Sequence, residues 1–178
     1  MGLLDVYPDT YFPLDNHDNA RITIDSTHHE VHEGALHEFH YENLAAASGV
    51  SIVLHVKTGT INLHTFLEFA CSDGPLKIAM YDGATVGTAG TEIKTYNLNR
   101  TYPESLETKV YHSSTVGTTG PAFGVKTILA TSTVQAKANS AVKEFAERVW
   151  APSKDYIVTM TPVGVVKLTV DGIIGEHE

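Results

Sequence analysis

The stretch Tyr156-Ile157-Val158-Thr159-Met160-Thr161-Pro162-Val163-Gly164-Val165-Val166-Lys167-Leu168-Thr169-Val170 decides the fold class. Two runs of apolar and β-branched residues flank a Pro/Gly pair, and in the second run apolar and polar positions alternate. A period of two puts every other side chain on one face of an extended chain, whereas a helix repeats at three and four. Pro162 has no backbone N–H to give, and Gly164 tolerates backbone angles closed to other residues, so the segment between the runs reads as a turn. The pattern predicts two antiparallel strands joined as a hairpin.

The same period extends toward the N-terminus. Residues 21–25 put Ile22 and Ile24 on one face, and residues 50–56 are apolar enough for a buried strand. Residues 63–69, 76–81, 92–96 and 107–111 follow, each rich in β-branched or aromatic side chains. Between them lie Gly- and Thr-rich segments, 83–90 and 113–124, which read as loops, and no internal repeat stands out. Residues 139–150 are ambiguous. Val142, Phe145, Ala146 and Val149 fall at helical spacing behind a capping Ser140, yet Phe145, Glu147 and Val149 also alternate. A strand over 144–150 is the expectation.

Many short strands with turn signals between them predict an all-β fold, an antiparallel β-sandwich or jelly-roll-like domain over residues 21–178. Residues 1–20 differ. They hold Pro8, Pro13, Asp5, Asp9, Asp15 and Asp18 beside Tyr7, Tyr11 and Phe12, with no period. That composition predicts an extended N-terminal arm. A solvated tail gains little from aromatics, so Tyr7, Tyr11 and Phe12 are candidates for contact with a partner.

Composition narrows the function. Of 178 residues, 42% are hydrophobic and 19% charged, and the formal net charge is −9 with the acids scattered. Direct nucleic-acid binding is not expected, because phosphate contacts need clustered Lys and Arg. Cys71 is the only cysteine, so no intrachain disulfide forms and packing or assembly must supply stability. Within 66–71 a buried small residue is its plainest role. The N-terminus lacks a basic stretch followed by an apolar run, and no segment approaches the roughly 18 apolar residues of a membrane span; neither a signal peptide nor membrane insertion is expected.

The densest cluster of reactive side chains is Thr27-His28-His29-Glu30-Val31-His32-Glu33-Gly34-Ala35-Leu36-His37-Glu38-Phe39-His40, with five of the ten histidines. A helical zinc-protease site needs two His four apart, and here His29/His32 and His37/His40 are three apart. On a strand, His28, Glu30 and His32 would share one face and could hold Zn²⁺ or Ni²⁺. The plainer reading is two exposed edge strands separated by Gly34, whose charges discourage edge-to-edge pairing. No nucleophile elbow, phosphate loop or dinucleotide fingerprint is present, so the expectation is a non-enzyme without cofactor or bound metal. In Asn97-Leu98-Asn99-Arg100-Thr101 short polar residues suit a turn, from which Arg100 would project toward a partner together with Asn97 and Asn99.

These motifs taken together resemble a group of small tailed-phage virion proteins. The likeness rests on His29-Glu30-Val31-His32-Glu33-Gly34, then Ala79-Met80-Tyr81-Asp82-Gly83-Ala84-Thr85-Val86, then Thr95-Tyr96-Asn97-Leu98-Asn99-Arg100, with later support from 111–116 and 151–156. It covers roughly residues 28–170. The chain departs in its longer N-terminal arm and in a C-terminus without the group's aromatic finish. The resemblance implies a head decoration, or cement, protein on the outer surface of the virion's capsid. Its implied partners are the major capsid protein and further copies of itself, as a dimer or trimer. A tail-fibre or baseplate module that binds a receptor or carbohydrate is the alternative.

Overall fold

The computed structural model describes residues 31–102, 105–129, 143–144 and 147–177. The expected arm over 1–20, the strand over 21–25, and His28 and Glu30 lie outside them. Two antiparallel sheets form a β-sandwich, as the alternation predicts. The first contains β1 (Leu36–Ala46), β3 (Asn62–Ser72), β7 (Tyr96–Asn97), β11 (Lys143–Glu144), β12 (Arg148–Trp150) and β14 (Val166–His177). Its order is β11-β3-β14-β1-β7, with β12 also on β3. The second runs β10 (Ala122–Ile128), β4 (Leu76–Asp82), β13 (Asp155–Pro162), β2 (Ile52–Lys57), β8 (Lys109–His112), β6 (Thr91–Ile93). A separate two-stranded ribbon joins β5 (Thr85–Thr88) to β9 (Thr115–Thr118).

Leu54, Leu63, Phe69, Ile78, Met80, Val158, Met160, Leu168 and Val170 are fully buried in one cluster between the sheets. Each fully buried side chain of this size contributes about 1.5–3 kcal/mol. Cys71 belongs to the same cluster, and burial pushes its thiol pKa up, as suits a packing residue. Gly172 of β14 faces Phe39 of β1, and a Cβ there would collide with the Phe39 ring. The glycine is the recess into which the ring folds.

The expected hairpin over 156–170 is not formed. β13 pairs with β2 and β4, whereas β14 pairs with β1 and β3 in the opposite sheet. The intervening residues carry the chain across the core, with Gly164 at φ 127°. Links β1–β2 and β3–β4 also change sheets, and the three crossings are laced together. Gly49 N–H donates to the Pro162 carbonyl (2.8 Å), Val163 N–H to Pro75 (2.9 Å), and Gly164 N–H to Ser48 Oγ (3.0 Å). A strand–turn–strand pattern is identical for a hairpin and a crossing, and only the distant ladder partners choose between them.

Three further expectations change. Residues 92–96 split into β6 and β7, one in each sheet, and the strand over 144–150 is represented by the separate β11 and β12. The loops over 83–90 and 113–124 contain β5, β9 and the start of β10. There is also an internal repeat. Residues 81–90 and 111–120 match at Tyr81/Tyr111, Thr85/Thr115, Val86/Val116, Gly87/Gly117, Thr88/Thr118 and Gly90/Gly120.

The repeat is structural as well as sequential. Gly83 (φ 64°) and Ser113 (φ 58°) occupy equivalent left-handed positions, and Ala84 and Ser114 are both buried. The second sheet is a palindrome about β13 and β2, with β4 matching β8 and β10 matching β6. Tyr81 pairs with Ile157, Ile157 with His55, and His55 with Tyr111, so a local two-fold axis passes between Ile157 and His55. β5 carries the chain from β4 to the far edge strand β6, and β9 carries it from β8 to the far edge strand β10. The inner face is filled by the core, so both connections cross the outer face as a strap. Ile157 and His55 are accordingly 0% and 3% exposed, although they alternate with core residues.

Within the strap, Thr85 Oγ1 meets Thr118 Oγ1 (2.7 Å) and Thr88 Oγ1 meets Thr115 Oγ1 (2.8 Å). A Cβ on Gly87 would press on Thr115, and one on Gly117 on Thr85. Beneath it, the His55 ring stacks on Tyr111 at 5.2 Å and His55 Nε2 bonds Asp155 Oδ1 at 2.7 Å.

Candidate functional site

Among the described residues no strap covers the outer face of the first sheet. Its strands place side chains in registered rows. Tyr96, Glu38, Ile173 and Phe66 line up across β7, β1, β14 and β3, and His40, Asp171 and Glu68 line up beside them. These rows floor and rim a groove of about 740 Å³, which Arg100 and Lys94 also line. Ile173 is 39% exposed, an apolar patch among charges. His40 Nδ1 bonds Asp171 Oδ1 at 2.6 Å.

One end of the groove is fixed by the Asn97–Arg100 turn. Asn97 Nδ2 donates to the Gly34 carbonyl (2.8 Å), and its Oδ1 accepts the Asn99 N–H (2.8 Å). Asn99 Nδ2 donates to the His32 carbonyl (2.9 Å), and its Oδ1 accepts from Thr101 N–H and Oγ1. Short amide side chains bond the backbone two residues ahead in such turns. Both asparagines therefore form a clasp against the segment entering β1. That segment turns at Gly34 (φ 74°), where Tyr102 packs so closely that a Cβ would overlap its ring.

The clasp presents Arg100. Its Nη2 donates to Glu38 Oε1 (3.1 Å), its guanidinium lies 5.1 Å from the Tyr96 ring centre, and its side chain is 64% exposed. Lys94 approaches the same ring at 4.9 Å. A fixed guanidinium beside an aromatic ring and a carboxylate suits recognition of a protein surface. The edge-strand reading of the histidine cluster fails at His37 and Glu38, where β1 lies between β14 and β7 and His37 is buried. His32 sits just before the Gly34 turn. Among the described residues no three His, Cys, Asp or Glu side chains come close enough to hold a metal ion.

A smaller cleft of about 210 Å³ lies between β12 of the first sheet and the second sheet, lined by Asp82, Phe123, Arg148, Trp150 and Tyr156. Trp150 stacks on Tyr156 at 4.5 Å, and Phe123 meets both rings edge-on. Among the described residues the buried Trp150 indole N–H has no hydrogen-bond partner.

Compared with known proteins, the chain matches no family model and no curated protein. Among the described residues no helix is long and apolar enough to cross a membrane.

Proposed function

We propose that this chain is a structural protein of a virus particle, which binds the outer surface of a phage capsid and reinforces contacts between major capsid subunits. The observation that carries the reading is the clasped corner. The motif on which the resemblance to decoration proteins rests, Tyr96-Asn97-Leu98-Asn99-Arg100, builds a rigid mount whose exposed output is one guanidinium and one ring at the mouth of a groove. Preorganisation lowers the ordering cost of binding, and a shell offers the same site many times over. The aromatics of the arm, Tyr7, Tyr11 and Phe12, provide a second contact in this reading.

A ligand that binds the assembled shell but not its dissociated subunits stabilises the shell by mass action. The test adds purified protein to capsids that lack it and records the temperature of genome release. Release at a higher temperature, with saturable binding to heads, supports the reading. Unchanged release, with the protein found only on tails, replaces it with the receptor- or carbohydrate-binding tail module. Deleting residues 1–20 is expected to leave the melting temperature of the isolated protein unchanged and to weaken attachment.

A further inference from the structure

We infer that the strap is a contact face for a second copy of this chain, docked strap to strap about a two-fold axis. The first observation is a gap in the charge distribution. The chain has 12 basic and 21 acidic residues, yet residues 83–91 and 113–121 contain no Asp, Glu, Lys or Arg. Close packing accounts for four of the five glycines of this region, and Gly83 sits at φ 64°. A Cβ on Gly87 or Gly117 would press on a threonine, and one on Gly90 or Gly120 would collide with the carbonyl oxygen of His112 or Asp82. Neither packing nor the ribbon's own hydrogen bonds account for Ala89 and Thr119, both of which are exposed. Charged side chains would be tolerated there in a surface that only meets water. Their absence matches the charge-depleted centre of an interface.

The second observation is that the face is prepared for desolvation. The threonine hydroxyls pair across the ribbon, Thr85 with Thr118 and Thr88 with Thr115, and two of them also accept backbone N–H groups. Polar atoms already satisfied internally cost little to cover. The third is symmetry. A homodimer about a two-fold uses the same patch on both subunits, so the patch must be complementary to itself. The strap has its own two-fold, relating residue n to n + 30, so each contact made by one half is repeated by the other. A second copy of this chain carries the same two-fold and so matches both halves of the strap at once. Net charge −9 favours this meeting point, because two acidic copies repel least where neither presents a carboxylate. Strap pairing also leaves both Arg100 corners free on the opposite faces.

Eighteen residues fall short of the roughly 20–30 per side of a standard stable interface, so the dimer is weak, with a dissociation constant on the order of 1–100 µM. The pairing stands apart from the capsid reading, and its test needs no capsid. Sedimentation equilibrium of the full chain between about 1 and 300 µM, spanning that range, is expected to show a monomer–dimer equilibrium. Ala89→Asp and Thr119→Asp, equivalent positions of the repeat, should each weaken it at least about tenfold, and together leave a monomer. A wild-type chain that stays monomeric throughout, or a dimer indifferent to both substitutions, overturns the proposal. Hydrogen exchange on the wild-type chain at the two concentration limits decides the matter even where a variant misfolds. Protection gained within 83–91 and 113–121 supports strap pairing, and protection gained only elsewhere overturns it.

Discussion

The outer faces of the two sheets are finished in different ways. Over β13 and β2 the chain crosses itself twice, pairs small residues tightly, and buries Ile157 and His55 beneath an uncharged ribbon. Among the described residues the face over β1 and β14 is open, and its side chains are held by exposed polar pairs, the ion pair of Arg100 with Glu38 and the hydrogen bond of His40 with Asp171. The closed face depends on backbone fit and the open one on exposed electrostatics. Close packing is unforgiving, because interiors transmit strain, while exposed ion pairs are each worth about 0–1 kcal/mol. Substitutions should therefore separate the faces by size of effect, and the single, buried Trp150 provides a fluorescence signal for unfolding.

The largest effect is expected at Gly90 and Gly120. Alanine at either would drive a methyl group into a backbone oxygen, His112 in one case and Asp82 in the other, which no side-chain rotation relieves. Gly90 also sits at φ 73°. Each substitution should cost about 3 kcal/mol or more in urea unfolding. Similar costs at the two sites would show that both crossings bear the fold equally; a harmless Gly120→Ala would break the two-fold description.

Gly172→Ala comes next, on the open sheet. The added methyl meets the Phe39 ring, a side chain that can shift, so the expected cost is about 1–3 kcal/mol. The double variant with Phe39→Leu should recover part of it, and strict additivity in the cycle would mean the two residues do not press on each other.

How much of this was legible beforehand differs between the faces. The alternation in 76–81 and 156–170 announced strands because each has one face on the core, and that signal survives whichever sheet the strand joins. The sheet assignment was hidden, since hairpins and crossings share a local pattern, and the β13–β14 crossing was misread for that reason. The strap was hidden for another. Gly87 and Gly117 are dictated by close threonines, and glycine with threonine between turn residues imitates a loop. The thirty-residue offset between Tyr81 and Tyr111 was the available signal, and comparing 81–90 with 111–120 would have found it. On the open face Arg100 was legible as an outward side chain on a fixed turn. The internal role of Asn97 and Asn99 was half legible, because their bonds run to Gly34 and His32, more than sixty residues away.

A pH titration compares an end of the sandwich with both faces. The Glu107 carboxylate accepts hydrogen bonds from Thr60 Oγ1 (2.7 Å) and Thr60 N–H (2.9 Å), which hold its pKa below the ordinary value. The carboxylate is thus favoured in the folded state. Its contribution is full above the ordinary carboxylate range and is lost as pH falls through the lowered folded value. Glu107→Gln should flatten the fall in melting temperature below about pH 4.5. An unchanged slope would assign the acid sensitivity to other carboxylates.

The smallest effect on folding is expected where the functional effect is largest, at Arg100. Its partners on the chain are the exposed Glu38 carboxylate and the Tyr96 ring, and its side chain is mostly in water. Arg100→Ala should change stability by less than about 0.5 kcal/mol, since an exposed pair is screened and entropically costly to hold. At a binding surface the same truncation removes a preorganised guanidinium and leaves its partner's groups unpaired, a loss of more than about 1 kcal/mol, or at least fivefold in affinity for capsids. Arg100→Lys separates charge from geometry, because an ammonium keeps the charge but not the planar stacking on Tyr96. If both variants bind capsids as the wild type does while Asn99→Ala lowers stability, the corner is only a structural clasp and attachment lies elsewhere. If Arg100→Ala alone weakens binding with the melting temperature unchanged, the open face is the one that meets the shell.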